Sequence, residues 1–164
     1  MFVLGVDPGL SRCGYGCVAG PLGSERAIAA GVITTDIHEP VHRRLAVLRA
    51  ELVALIAEIA PDVVVVERVL FQTNARTAMG VGQASGVALL TASEANLDVV
   101  EYSSNEVKLA VAGYGAATKA QVQSMVARLL HLPRVPEPPD IADALALALC
   151  HLAVARTNPV GVTR

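Results

Sequence analysis

The chain has 164 residues, 53% of them hydrophobic and 17% charged, a balance that excludes disorder and supplies enough apolar surface for one well-buried domain without disulfide staples. No apolar run approaches the roughly 20 residues that span a bilayer, and no basic leader precedes the first apolar stretch, so a soluble, unexported, cytoplasmic protein is expected. A net charge of -2 argues weakly against a nucleic-acid partner, an argument that loses force if acids are gathered around bound cations.

The first strand is the apolar run from Phe2 that ends on Asp7 and breaks at once into Pro8-Gly9. Five apolar or small residues ahead of the aspartate read as a strand buried on both faces, and Pro-Gly supplies the turn that stops it. Asp7 is thereby held at the lip of a sheet, a costly place for a negative charge with no positive partner. Gly14 to Gly20 and Arg26 to Thr34 read as the next two strands around the break Pro21-Leu22-Gly23-Ser24, which makes the first three strands an antiparallel meander. Pro40 to Ile59 carries Leu45, Leu48, Leu52, Leu55, Ile56 and Ile59 at three- and four-residue steps. It is an amphipathic helix with Arg43, Arg44, Arg49, Glu51 and Glu58 toward water. Pro61 ends it, and Val63 to Val66 is an all-apolar strand that closes on Glu67. A strand-helix-strand crossover is right-handed, so this strand parallels the third and the first. Asp7 and Glu67 then share one edge of the sheet, and neighbouring strands would put them about 4.8 Å apart.

Asn74 to Ala95 is helical in period but carries Gly80, Gly82 and Gly86, each costing about 1 kcal/mol against alanine. Gly82 and Gly86, with Ala78 one turn before, line a face of small residues that serves either close packing on the chain's own sheet or a homodimer seam. Leu97 to Tyr102 is a fifth strand, and Ser103-Ser104 with Glu106 signals the start of a helix over Asn105 to Ala112. Thr118 to Leu132 is a further helix whose Lys119 opposes the helix dipole, as a solvated lysine or as a contact to an anionic ligand. After the rigid break from Pro133 to Pro139, Asp140 to Ala155 is the last helix. Asp140 and Asp143, three residues apart, share a face of its first turn, where acids also serve as caps. Residues 1–157 read as a single domain and 158–164 as a flexible C-terminal tail. Cys13, Cys17 and Cys150 form no CxxC pair, which fits a reducing compartment; with His151 they match zinc ligands in residue type but not in spacing.

Acids at the ends of the first and fourth strands and on the closing helix form a workable two-metal layout. Magnesium takes hard oxygen ligands, and two ions about 3.5–4 Å apart clamp an in-line displacement at phosphorus. Without metal the same carboxylates would repel and take up protons.

From LGVDPG at the start, through VVVVERVLFQTNARTAMGVGQASG and NEVKLAVAGYGAATKAQVQ, to PPDIADALALALCH, nearly the whole chain resembles, in order, the RuvC-type Holliday junction resolvases. These are crossover junction endodeoxyribonucleases of the ribonuclease H-like superfamily. The resemblance implies an α/β ribonuclease H-like fold: a five-stranded mixed sheet of order 3-2-1-4-5, strand two antiparallel, flanked by helices. It implies a Mg2+-dependent nuclease, with two ions per site and Mn2+ as a substitute, that nicks four-way junction DNA symmetrically as a homodimer in recombination and DNA repair. It also implies a branch-migration motor, RuvA-RuvB, as partner. Position by position, Asp7, Glu67, Asp140 and Asp143 match the catalytic metal-binding acids, and Lys108 and Lys119 match basic positions that approach the DNA backbone. The helix from Asn74 matches the one that pairs across the dimer, which assigns Ala78, Gly82 and Gly86 to that interface. The family often presents an aromatic wedge to the junction just after the glutamate, where this chain has Leu70 and then Phe71; apolar wedges of either kind unstack a base step. With 3% aromatic residues, DNA contact is expected to rest on the backbone, through Arg68, Arg76, Lys108 and Lys119, and on junction shape, with strong salt dependence.

Three rivals remain on sequence grounds. LGVDPG is also similar to the first phosphate loop of actin-like ATPases, which need two such domains. A ribonuclease H-like nuclease acting on hybrids or structured RNA would share the metal chemistry. A catalytically silent junction-binding dimer would not need the acid quartet.

Overall fold

The computed structural model describes residues 1–21, 23–69 and 75–157, the side chains of residues 75–77 and 157 excepted. Strands β1 (Phe2–Asp7), β2 (Arg12–Ala19) and β3 (Arg26–Thr34) form the antiparallel meander, and β4 (Val63–Glu67) and β5 (Asp98–Tyr102) run parallel to β1 beyond it. The order is β3-β2-β1-β4-β5, the ribonuclease H-like sheet expected from the sequence. The helices are α1 (Val41–Ile59), α2 (Ala75–Glu94), α3 (Ser104–Ala112), α4 (Lys119–Leu129) and α5 (Pro139–Thr157). Among the described residues no helix is long and apolar enough to cross a membrane.

Strand alternation sorts the core into two layers. Val3, Val18, Val63, Val65 and Tyr102 face one side, where α3, α4 and α5 cover them with Val107, Val111, Val122, Val126, Leu145 and Leu149. Leu4, Val6, Cys13, Cys17, Val64 and Val66 face the other, against Leu48 and Leu52 of α1 and Ala84, Ala88 and Ala92 of α2. Each fully buried valine or leucine here contributes on the order of 1.5–3 kcal/mol, so β1 and β4 are fixed in register by the side each residue faces. Odd-numbered residues of β1 and β4 and even-numbered residues of β2 point to the α5 side. Asp7, Glu67 and Arg12 continue those series.

The approach of α5 to the sheet depends on absent side chains. A Cβ on Gly5 would run into the Ala144 carbonyl oxygen, and one on Gly14 into the Asp140 carbonyl, so two strand glycines let the helix backbone lie directly on β1 and β2. By contrast, among the described residues nothing lies within 4 Å of a Cβ built on Gly82 or Gly86 of α2. At Gly80 an added Cβ would be in ordinary contact with Leu10, at 3.8 Å.

Three boundaries differ from expectation by more than a residue, one of them the end of α5, which runs to Thr157 rather than Ala155. Strand β2 begins at Arg12, two residues before the expected Gly14. Helix α4 stops at Leu129 rather than Leu132: His131 adopts φ 53°, and the Leu132 N–H donates back to the Ala127 carbonyl at 2.8 Å. No glycine marks that reversal in the sequence. The expected tail, residues 158–164, lies outside the described residues.

Candidate active site

Two strands and one helix bring the acids together. Val6 of β1 pairs with Val66 of β4 in parallel register, so Asp7 and Glu67 are the next residues along neighbouring strands, about 4.8 Å apart in backbone. Both are half-buried and on the α5 side. In the β1–β2 ladder Asp7 pairs with Gly14, and Gly14 is where the Asp140 backbone lies against the sheet. The first turn of α5 therefore delivers Asp140 and Asp143 to the same edge. Each helix acid has a cation on it: the Arg12 guanidinium donates to Asp140 Oδ2 at 2.7 Å, and Lys119 Nζ lies 2.5 Å from Asp143 Oδ2. Among the described residues neither Asp7 nor Glu67 makes an ion pair.

The electrostatics follow from this asymmetry. Burial first, then the charges of Glu67, Asp143 and Asp140, push the Asp7 carboxyl up to about 7, with Lys119 only partly opposing them. Glu67 is raised by burial and by Asp143 against the pull of Lys119 and Lys108. Burial would lower Lys119, but its hydrogen bond to Asp143 and the charges of Asp143, Asp7 and Asp140 carry it above the usual lysine range. Clustered like charge at a half-buried rim is an arrangement that a bound cation would relieve.

Residues 3–151 match the family model described as crossover junction endodeoxyribonuclease RuvC. The chain belongs to the RuvC family. It is 50% identical over 158 residues to the crossover junction endodeoxyribonuclease RuvC of Thermomicrobium roseum, covering 95% of each chain. It is 52% identical over 153 residues to that of Salinispora arenicola, covering 93% of this chain and 87% of the relative. In three dimensions it superposes on Thermus thermophilus RuvC in complex with Holliday junction substrate with a TM-score of 0.91, at 36% identity and 96% coverage of each chain.

RuvC-family nucleases are metal-dependent, and the residues here fit a hard divalent cation in donor chemistry: four carboxylates, all oxygen, with no thiolate or imidazole among them. Among the described residues, however, no three His, Cys, Asp or Glu side chains stand ready-formed around a metal position. The zinc set considered from sequence is split by the sheet: Cys13 and Cys17 pack on the α1–α2 side, Cys150 and its neighbour His151 on the other. Burial pushes the thiols of Cys13 and Cys150 up to about 12 and that of Cys17 up to about 11, so they remain protonated core residues. His151 is buried with its Nδ1 3.1 Å from the Tyr102 hydroxyl.

Beside the acids opens a cavity of about 260 Å³ lined by Glu67, Asp143, Lys108 and Lys119 over an apolar floor that includes Val107, Val122 and Leu147. The two lysines singled out from the RuvC resemblance thus flank the acid cluster. Arg68 is turned to the β5 end, donating to the Glu101 carbonyl at 3.2 Å. Leu70, Phe71 and the Arg76 side chain lie outside the described residues. On α2, Ala78 is half-buried while Gly82 and Gly86 are exposed. Sequence reasoning missed Arg12 and the Thr118 cap. Thr118 and Gln121 form a reciprocal capping box that fixes the start of α4 and hence Lys119; T-x-x-Q before an apolar helix was the available signal.

The raised Asp7 carboxyl makes a stability prediction for this RuvC-family chain. Between its ordinary 3.8 and about 7, the folded state keeps a proton that the unfolded state has released, so the contribution of this group falls as pH rises through that window. In metal-free buffer, Asp7→Asn is expected to melt above the wild type at pH 8, by on the order of a few kcal/mol, and to match it near pH 4. Thermal melts of both proteins with chelator across pH 4–8 measure the difference. Equal melting temperatures at pH 8 contradict it.

Proposed function

We propose that this chain, as a single nuclease domain over residues 1–157, resolves four-way DNA junctions by paired symmetric nicks, acting as a homodimer in the cytoplasm. The observation that carries the reading is the meeting of Asp7, Glu67, Asp140 and Asp143 at one sheet edge of a RuvC-family chain. In this reading those four carboxylates hold two Mg2+ ions, with Mn2+ as a substitute. Bound there, the ions supply an activated water and stabilise the departing oxygen of the phosphodiester. The protein's own part is positional. Asp7 and Glu67 are fixed by the β1–β4 register, and α5 carries the other two acids on a helix seated on glycine. Lys108 and Lys119 line the adjoining cavity, where they bind the DNA backbone next to the bond that breaks. Arg76, Leu70 and Phe71 are assigned to junction contact on the family resemblance alone, as is the RuvA-RuvB motor as partner.

The dimer seam is assigned to α2. Ala78, Gly82 and Gly86 lie on it together with Met79 and Leu90, which are 64% and 53% exposed. Met79, Gly82, Gly86 and Leu90 recur at three- and four-residue steps, an apolar stripe on one side of the helix with no partner among the described residues of this chain.

Incubation of the purified protein with a synthetic four-way junction and with the matching linear duplex, in Mg2+ and in chelator, tests the function. Symmetric nicks in the junction that disappear with chelator are expected. Nicks confined to the duplex, or cleavage that survives chelation, would overturn the assignment.

A further inference from the structure

The two helix acids are restrained differently from the two strand acids, and Arg12 is the less expected of the restraints. It is the first residue of β2, on the same side of the strand as Gly14. The turn from which it emerges is tied down. Arg44 of α1 donates to Ser11 Oγ at 2.6 Å and to Thr35 Oγ1 at 3.0 Å, and the Thr35 hydroxyl donates to the Leu10 carbonyl at 2.5 Å. The Thr35 N–H donates to the Ser11 carbonyl at 3.2 Å. The base of Arg12 is therefore fixed while its side chain is 48% exposed, over an Asp140 side chain that is 24% exposed. A guanidinium has donors in excess of one carboxylate oxygen and binds phosphate as readily as carboxylate. It stands on the solvent side of the pair, where a DNA backbone would arrive.

We infer that Arg12 is a substrate-responsive latch on Asp140. Without DNA it occupies Asp140 Oδ2 and withholds that carboxylate from the metal site; a phosphodiester group competes for the guanidinium and frees Asp140 to bind the cation. Arg12 is thus a positioning residue that makes cation loading depend on substrate. The inference rests on the acid cluster being the metal site. It differs from simple charge repulsion because it acts through one named oxygen.

The test uses two readouts other than cleavage. Mn2+ binding is titrated by calorimetry without DNA for the wild type, Arg12→Gln, Asp140→Asn and the double variant, with circular dichroism to verify folding and Arg12→Lys in reserve should the Gln variant fail it. Arg12→Gln is expected to bind Mn2+ roughly three- to tenfold more tightly than wild type, and the gain is expected to vanish on the Asp140→Asn background. Junction binding in chelator, where nothing is cut, is then followed against salt. Loss of one phosphate contact is expected to reduce the slope of log K on log salt by about 1. Equal Mn2+ affinities of wild type and Arg12→Gln would overturn the latch while leaving the acid site standing. A gain that persists with Asp140→Asn would overturn it too, since any removed positive charge would then suffice. An unchanged salt slope would overturn the exchange onto phosphate. Absence of Mn2+ binding by wild type and variant alike would overturn the acid site itself, and the latch with it.

Discussion

Asp7→Asn is expected to reduce junction cleavage by at least about a thousandfold while leaving junction binding in chelator unchanged or slightly tighter. The amide has nearly the shape of the carboxylate but no charge, so the sheet is undisturbed and only the ligand is lost; removing a ligand of this kind forfeits several kcal/mol of transition-state stabilisation. Asp7 is the acid for which compensation is least available, because it comes from the central strand, beside Glu67 and under the start of α5. Binding should survive because Asp7 is a half-buried negative charge that can only repel phosphate. Single-turnover nicking in Mg2+ and a gel-shift titration in chelator measure the two quantities separately. Cleavage within tenfold of wild type would contradict the role assigned to Asp7, and binding lost in parallel would show that the substitution damaged the fold.

Gly14→Ala is expected to cost cleavage at least about a hundredfold and stability about 1–3 kcal/mol. A single added carbon at this position meets the Asp140 carbonyl group and lies 3.1 Å from the Asp140 Cβ. The obstacle is backbone, so no side-chain rotation relieves it and the first turn of α5 must lift. Overpacking of this kind carries a penalty of that size, and a displacement of about 1 Å in a catalytic group is enough for a hundredfold loss. Gly115→Ala is the control, since among the described residues nothing lies within 4 Å of its added carbon; it should alter neither quantity. Melting temperature and single-turnover rate measured side by side check the pair. Activity retained by Gly14→Ala would mean that α5 is free to settle elsewhere on the sheet.

The contrast between these glycines explains what the sequence made legible. An apolar strand that ends on a single acid is a local pattern, and so the positions of Asp7 and Glu67 could be read directly, whereas the sheet order that pairs them came from the family resemblance. Asp140 and Asp143 were visible as a helix-start pair for which capping was the favoured reading, because their meaning depends on where α5 lies. That location is set by Gly5 and Gly14, whose strand context gives no local sign of a helix passing over them. The helical glycines Gly82 and Gly86 are the more conspicuous in sequence, because their propensity penalty is plain, yet among the described residues they have no close neighbour. Lys119 carried a legible anomaly, a base at a helix start, yet its partner Asp143 is 24 residues away in sequence. Arg12 was hidden by a boundary: a second strand begun at Gly14 leaves it in a loop, whereas two more residues of strand aim it at α5.

The rim needs a helix that begins at residue 139, and domains form progressively while the ribosome is still adding residues. Until that segment emerges, a nascent polypeptide exposes Asp7 and Glu67 but lacks the partners that would complete the cutting centre. Premature termination upstream of Pro139 would accordingly leave a product without Asp140 and Asp143, and on the role proposed for them the capacity to break DNA would wait for that helix.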